Sequence, residues 1–414
     1  MVKIRLVIMM FLQYAIWGAW SPALSQYLQS ELGFSGTQVG MIYSLLPLAT
    51  IISPFIGGQL ADRYLATQKV LALFHLFGGA VLFWAASVQD YTPLAWILLF
   101  YSLLYAPTLA LTNSLAFHHL SDTQKEFGWI RVGGSFGWIA AGLILSGWRL
   151  WAVNDPSLFV AGDTLLLAAI LSVIFGIYCW TLPHTPPNKE AKDPLAFMVA
   201  LRMLKNKHFA IFMGIVFIVS TELMFYYVLT APFLTTRVGV TSQSVAGVMV
   251  IAQIAEIFTM ALLLPYFLPK FGIRKTIAVG ILAWPVRYAI FALGEPGWLV
   301  IASLALHGFC YVFFFTAAQI YVDQIAPKDI RASAQSLLAL VNLGIGLYVG
   351  SLFAGWVQNK FSTFDAQGAL LTTNWTGVFI VPLVLTIIAA IAFFLSFKRE
   401  LHFQFESSNS GDAS

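Results

Sequence analysis

The sequence predicts an all-α membrane protein of twelve transmembrane helices arranged as two pseudo-symmetric six-helix bundles, and three observations carry that prediction. The first is composition: of 414 residues, 59% are hydrophobic, 15% aromatic and only 10% charged, against about half apolar and a quarter charged in an average soluble chain. A water-soluble fold has no way to hide so much apolar surface. The second is spacing, because the apolar residues fall in blocks of about 20 or more, the length that crosses the hydrocarbon core as a helix. The third is a division: one polar stretch interrupts the chain near its middle, with six apolar blocks on either side.

In chain order the blocks run 6 to 28, 38 to 61, 69 to 88, 94 to 117, 129 to 148, 163 to 182, 209 to 235, 244 to 268, 276 to 293, 298 to 322, 333 to 357 and 375 to 397. Lys3 and Arg5 imitate the start of a secretory signal, but the run from Leu6 to Leu28 outlasts the roughly 7 to 15 residues of a signal core, so it reads as a retained first helix. The polar stretch opens on Pro183, Pro186 and Pro187 and divides the chain into a bundle over 1–183, a cytoplasmic linker over 184–207 and a second bundle over 208–398. The remainder, 399–414, ends in Ser, Asn and Gly and reads as a disordered cytoplasmic tail.

Charge sets the orientation. With the N-terminus in the cytoplasm, only Arg149, Arg237 and Lys360 of the 22 lysines and arginines fall outside, while Arg131 and Arg287 lie within helices. The positive-inside rule therefore expects both termini on the cytoplasmic side of a bacterial inner membrane. The net charge of +4 belongs to the loops that face the lipid surface and implies no nucleic-acid partner. Cys179 and Cys310 both sit inside apolar blocks, so neither a disulfide nor a metal site is expected. His75, His118, His119 and His307 are scattered without ligand spacing, and no phosphate-binding glycine loop is present. No cofactor is expected, and neither enzyme chemistry nor ATP-driven transport has the residues it would need.

Two halves joined by a linker are the arrangement of a carrier whose solute site lies between them near the bilayer midplane. The loop after the second block reads Gly58-Gln-Leu-Ala-Asp62-Arg63-Tyr-Leu-Ala-Thr-Gln-Lys69, with a weaker echo, Lys270-Phe-Gly272-Ile-Arg274-Lys275, after the eighth. The first resembles the signature loop of the major facilitator superfamily, with Leu65 where a second glycine usually stands. Gly58 allows close helix packing, and Asp62 and Arg63 can make contacts that break between conformations, so these three are expected to act in gating. An ordinary cytoplasmic turn is the plainer alternative.

Longer segments resemble the bacterial nucleoside:proton symporter family over nearly the whole chain. They are Phe11-Leu-Gln13-Tyr-Ala-Ile-Trp17-Gly-Ala-Trp20, Pro107-Thr-Leu-Ala-Leu-Thr-Asn113, Ile130-Arg131-Val-Gly-Gly-Ser135-Phe-Gly-Trp138, Gln253-Ile-Ala-Glu256 and Ile330-Arg331-Ala-Ser-Ala-Gln335. The resemblance implies that Arg131, Ser135, Trp138, Gln253 and Glu256 belong to a nucleoside pocket. The chain departs from the family at Val312, where members carry an aspartate, and at Met224 and Tyr227, where a nucleoside carrier of the family has amides.

Read without the family, the informative residues are those that cost most at membrane depth: Glu222, Glu256, Arg131 and Arg287. Glu256 and Gln253 are an i, i+3 pair on one helix face, able to bond a sugar hydroxyl or a base edge. Glu256 is the first choice for the proton-coupling group and Glu222 the second; a glutamate that merely bridges two helices, or neutralises Arg287, is the alternative for each. Arg131, Ser135 and Trp138 form one stripe offering a cation, a hydroxyl and a stacking surface, unless Arg131 only reaches for the membrane surface. Gln13 and Trp17 of the first block, Asn113 of the fourth, Tyr226 and Tyr227 of the seventh, and Tyr311, Phe315 and Gln319 of the tenth complete the expected solute site. Any one of them taken alone is as readily explained by packing.

The expected activity is inward movement of a nucleoside with a proton by a monomer. A sugar or glycoside symporter is the runner-up, and a sensor that keeps the scaffold without transporting is a reading of another class.

Overall fold

The computed structural model describes residues 2–53, 65–158, 160–187, 196–327, 330–366, 368 and 370–397. Among them run α1 (Val2–Ser30), α2 (Gly36–Ser53), α3 (Thr67–Ala86), α4 (Tyr91–His119), α5 (Thr123–Asn154), α6 (Asp163–Cys179) and α7 (Lys207–Phe233). They continue as α8 (Val245–Phe258), α9 (Leu264–Leu293), α10 (Gly297–Ile325), α11 (Arg331–Lys360) and α12 (Trp375–Ser396). Ten helices among the described residues are long and apolar enough to cross a membrane; Asp163–Cys179 is apolar but shorter. The segment Val245–Leu293 is one run of 49 residues, about twice the length one crossing needs at 1.5 Å per residue. It is broken at Gly272, whose φ of 77° and ψ of 166° are open to a residue without Cβ.

Elements differ from the sequence reading in three places. Helix α5 begins at Thr123, six residues before its apolar block, where Lys3 Nζ bonds Glu126 Oε1 at 2.9 Å and ties the helix start to α1. Part of the expected linker is helical, Ala196–Ala200 followed by a 3₁₀ stretch Leu201–Lys205, because Met203 and Ala200 bury themselves and the short helix packs on Arg331–Ala339 of α11. Strands also occur in a chain read as all-α: β1 (Ser362–Phe364) pairs antiparallel with β2 (Leu370–Thr373) between α11 and α12. Ser362 to Thr373 and Thr363 to Thr372 hydroxyl bonds, each 2.8 Å, cross this hairpin, where β-branched threonines favour the extended chain.

Packing divides the helices by position in the chain. In the first half α1 lies against α5 and α6, α3 against α4 and α6, and α2 against α4. In the second half α7 packs on α11 and α12, α9 on α12, and α8 and α9 on α10. The halves meet mainly along two seams, α2 with α11 and α5 with α8.

Small residues set how closely these surfaces approach. The spacing Gly133-x-x-x-Gly137 lets α5 ride on α1: a Cβ at Gly133 would lie 2.8 Å from the Val7 carbonyl oxygen, one at Gly137 would strike the Phe11 carbonyl, and one at Gly18 would lie 2.7 Å from Trp138 Cα. Between the halves, a Cβ at Gly40 would lie 2.5 Å from the Ser351 carbonyl oxygen, and one at Gly355 would collide with the Gly36 carbonyl. Gln29 and Gln358 exchange amide hydrogen bonds of 2.8 and 3.0 Å beside this contact. The close approach lies at the end opposite Lys69, Arg202 and Lys205, hereafter the sealed end.

Candidate functional site

Helices α1 and α5 bring Tyr14, Trp17, Arg131 and Trp138 together. The Arg131 guanidinium carbon stands 4.0 Å above the Tyr14 ring, a placement in which the ring face partly replaces lost hydration. Trp17 packs on Tyr14, Tyr105 and Trp138 at centroid distances of 6.2, 6.5 and 5.5 Å. Ser135 is half-buried on the turn between Arg131 and Trp138.

Trp138 leads across the seam. Its ring lies 6.2 Å from Tyr227 of α7, which lies 6.3 Å from His307 of α10. His307 is stacked between Tyr226 at 4.8 Å and Tyr311 at 5.6 Å, and Tyr311 continues to Phe315 at 5.4 Å. An unbroken line of rings therefore joins α1 and α5 of one half to α7 and α10 of the other. Trp17, Arg131, Ser135, Tyr227, Glu256 and Tyr311 remain half-buried along it. Such a lining offers stacking faces and a few polar groups to a flat polar solute.

Ionisable side chains flank the rings. Glu256 lies within Coulombic reach of Arg131, and both side chains are half-buried. On its other side Glu256 Oε2 is 3.8 Å from His307 Nε2, and Arg287 Nη1 is 3.3 Å from His307 Nδ1. Arg287 is fully buried, its guanidinium carbon 4.5 Å from the Trp284 ring, 4.7 Å from Tyr226 and 5.3 Å from Tyr288. Rings and an acid answer what Arg287 does: it sits in an aromatic cage within Coulombic reach of Glu222. Glu222 is equally buried, neither carboxyl oxygen has a hydrogen-bond partner, and its backbone carbonyl accepts from the Tyr288 hydroxyl.

The remaining expected site residues fall into four groups. Gln253 is buried one turn before Glu256 on α8, and the buried Oδ1 of Asn113 has no partner. Gln13 is closed inside the first half: its amide nitrogen donates to Thr108 Oγ1 at 2.9 Å, its oxygen meets His75 Nε2 at 3.1 Å, and its backbone carbonyl accepts from Tyr105 at 2.7 Å. Gln319 is exposed two turns beyond Tyr311, its carbonyl accepting from Gln335 at 2.8 Å. Gly58, Asp62 and Arg63 lie outside the described residues. Val312 is buried among Leu264 and Phe313 in an apolar cluster.

Two histidines are the residues that sequence reasoning passed over. His307 stands four residues before Tyr311, so extending the Tyr311, Phe315 stripe backwards by one turn would have found it. His75 had no such signal, since its partners Gln13 and Ser172 come from distant helices. Among the described residues no group of three or more His, Cys, Asp or Glu is placed to hold a metal.

Helix-on-helix halves around an aromatic and ionisable seam define a membrane carrier, and comparison with known proteins gives the family. Residues 1–402 match the family model described as nucleoside H+ symporter; the chain belongs to that family, whose members are transporters and not enzymes. It is 35% identical over 410 residues to the putative nucleoside transporter YegT of Escherichia coli, covering 95% of this chain and 93% of that protein. To the xanthosine permease of Escherichia coli it is 32% identical, covering 96% of each. The crystal structure of the nucleoside transporter NupG superposes with a TM-score of 0.83 at 29% identity, over 96% of this chain and all of that one. The chain is thus a multi-pass, predominantly helical, proton-coupled transporter of the nucleoside symporter family.

Proposed function

We propose that this protein moves a nucleoside into the bacterial cell together with a proton, by alternating exposure of a site between two six-helix bundles, 1–183 and 208–398. Counting α6 as a crossing and the run broken at Gly272 as two gives twelve spans. The distribution of Lys and Arg supports both termini in the cytoplasm of an inner-membrane protein, which turns the sealed end outward. The chain acts as a monomer in the bilayer.

The single observation that carries the reading is the line of rings across the two halves, Trp17, Trp138, Tyr227 and Tyr311, flanked by Arg131 and Glu256. A nucleobase stacks on the rings, and the ribose hydroxyls bond Glu256, Gln253 and Ser135. Proton binding at Glu256 from outside and release inside links solute movement to the gradient. Glu222 serves as a reserve acid behind Arg287, and Gly58, Asp62 and Arg63 act in the conformational change.

The test is uptake of labelled uridine, adenosine and a panel of sugars into proteoliposomes, with and without an inward proton gradient, for the native chain and Glu256→Gln. Gradient-driven nucleoside accumulation that the substitution abolishes is expected. Equal gradient-driven uptake by both proteins would remove Glu256 as the coupling acid, and movement of sugars alone would overturn the nucleoside assignment.

A further inference from the structure

Four charged or titratable side chains lie in file across the second half: Glu222 on α7, Arg287 on α9, His307 on α10 and Glu256 on α8. The third of these, His307, has no role in the function proposed so far. His307 is wholly buried, yet its ring contacts a permanent cation on one edge and a carboxyl on the other.

The geometry decides which nitrogen carries the hydrogen. Arg287 is donor-only, so the nitrogen it faces, Nδ1, must be the acceptor. The neutral ring then carries its hydrogen on Nε2, aimed at Glu256 Oε2 across 3.8 Å. That gap is longer than a hydrogen bond. Glu256 can close it, because its side chain is 19% exposed while the His307 ring is 0% exposed and clamped between Tyr226 and Tyr311.

We propose that His307 is a positioning residue which, oriented and polarised by Arg287, receives the Glu256 carboxylate once its proton has left, and so holds the unloaded carrier ready for the return step. The proton passes from the Glu256 carboxyl to water in the seam. The hydrogen on His307 Nε2 stays where it is and becomes the donor in a charge-assisted bond. A guanidinium behind the imidazole strengthens that donor, as successive hydrogen bonds polarise one another. With solute and proton bound, Glu256 is a neutral carboxyl, gives up the charge-assisted bond to His307 and serves the solute instead. Other groups facing His307 are Tyr226 and Tyr227 of α7 and Tyr311 of its own helix, with Cys310, Tyr288 and Glu222 around Arg287. No second carboxyl contacts the ring among the described interactions.

This inference rests on Glu256 being the coupling acid, and its test separates the two. Proteoliposomes containing the native chain, His307→Phe, His307→Gln and Glu256→Gln would be compared in two assays with labelled uridine: gradient-driven accumulation, and solute exchange at equal pH on both sides. Phenylalanine keeps the stacking and removes the donor; glutamine restores an N–H. A donor to a charged group contributes about 1.5 to 3 kcal/mol, so His307→Phe should lose about tenfold or more of accumulation relative to its own exchange rate. His307→Gln should recover most of that ratio. An unchanged ratio in His307→Phe overturns the proposal, as does a ratio equally low in both His307 variants, or exchange lost in step with accumulation in both. Should the Phe variant not fold, His307→Met is compared with His307→Gln on the same criteria. Gradient-driven accumulation persisting in Glu256→Gln would instead sink the coupling role of Glu256, whatever the His307 variants do.

Discussion

Replacing Gly40 by alanine should unseal the closed end. The added Cβ would sit 2.5 Å from the Ser351 carbonyl oxygen and 3.0 Å from Gly355 Cα, whereas ordinary contact is 3.4 to 4 Å. Both obstacles are backbone atoms, so no rotamer change relieves them, and α2 and α11 must separate by about 1 Å. Overpacking of this kind costs about 1 to 3 kcal/mol. In an alternating carrier the cost falls on the sealed conformation and largely vanishes when the two helices part. The balance should therefore shift toward the form open at this end by about 5- to 150-fold. Ser351 is fully buried against Gly40 in the sealed form, so Ser351→Cys, in a chain whose two buried cysteines are replaced, reports the opening. Labelling by a membrane-impermeant maleimide should accelerate by that factor when Gly40→Ala is added. Unchanged labelling, with unchanged thermal stability in detergent, would show that the seam does not govern access.

Other substitutions test the remaining parts. Arg149 grips Asp163 through two bonds of 2.6 and 2.7 Å and reaches across to the Ser242 carbonyl at 3.1 Å, beside a cavity of about 220 Å³ at the sealed end; Arg149→Leu leaves Asp163 uncompensated and should cost about 3 to 5 kcal/mol in thermal unfolding, with Lys a poor substitute for the two-pronged contact. Trp138→Ala should weaken equilibrium binding of uridine by about 1 to 3 kcal/mol, the worth of one base-stacking face, while a sugar substrate would lose less. In the first half, His75→Leu strands the Gln13 oxygen inside the core and should lower stability by about 1 to 3 kcal/mol, measured by thermal unfolding, without altering the order of preference among nucleosides.

Much of this molecule is legible from its one-dimensional order because lipid leaves a chain few options. A crossing must satisfy every backbone group internally, so long apolar runs are helices; the apolar blocks overlap α1 to α12 among the described residues, and the break at Gly272 falls between the eighth and ninth blocks, while α5 starts earlier than its block. Small-residue spacing at Gly133 and Gly137 and the i, i+4, i+7 stripe of Arg131, Ser135 and Trp138 are also local, and they do share one face of α5. Local spacing failed where partners are remote. Gln13 has the sequence character of a lining residue, yet His75, Thr108 and Tyr105 use its polar groups. Gln319 follows the same helical stripe as Tyr311 and Phe315, but it is exposed where Phe315 is buried, and its carbonyl is taken by Gln335 of α11.

What the sequence by itself determined, then, was the membrane class, the long apolar helices and the short list of costly residues, because burial in hydrocarbon penalises each charge and each unpaired backbone group wherever the chain goes. Only the tertiary structure decided which of those charges meet. Glu256 faces Arg131 across α5 and α8, Arg287 is caged by rings of α7 and α9, and His307 stands between Arg287 and Glu256. Those meetings depend on how closely α2 approaches α11 and α5 approaches α8, distances set by packing at single glycines and invisible to any periodicity along the chain.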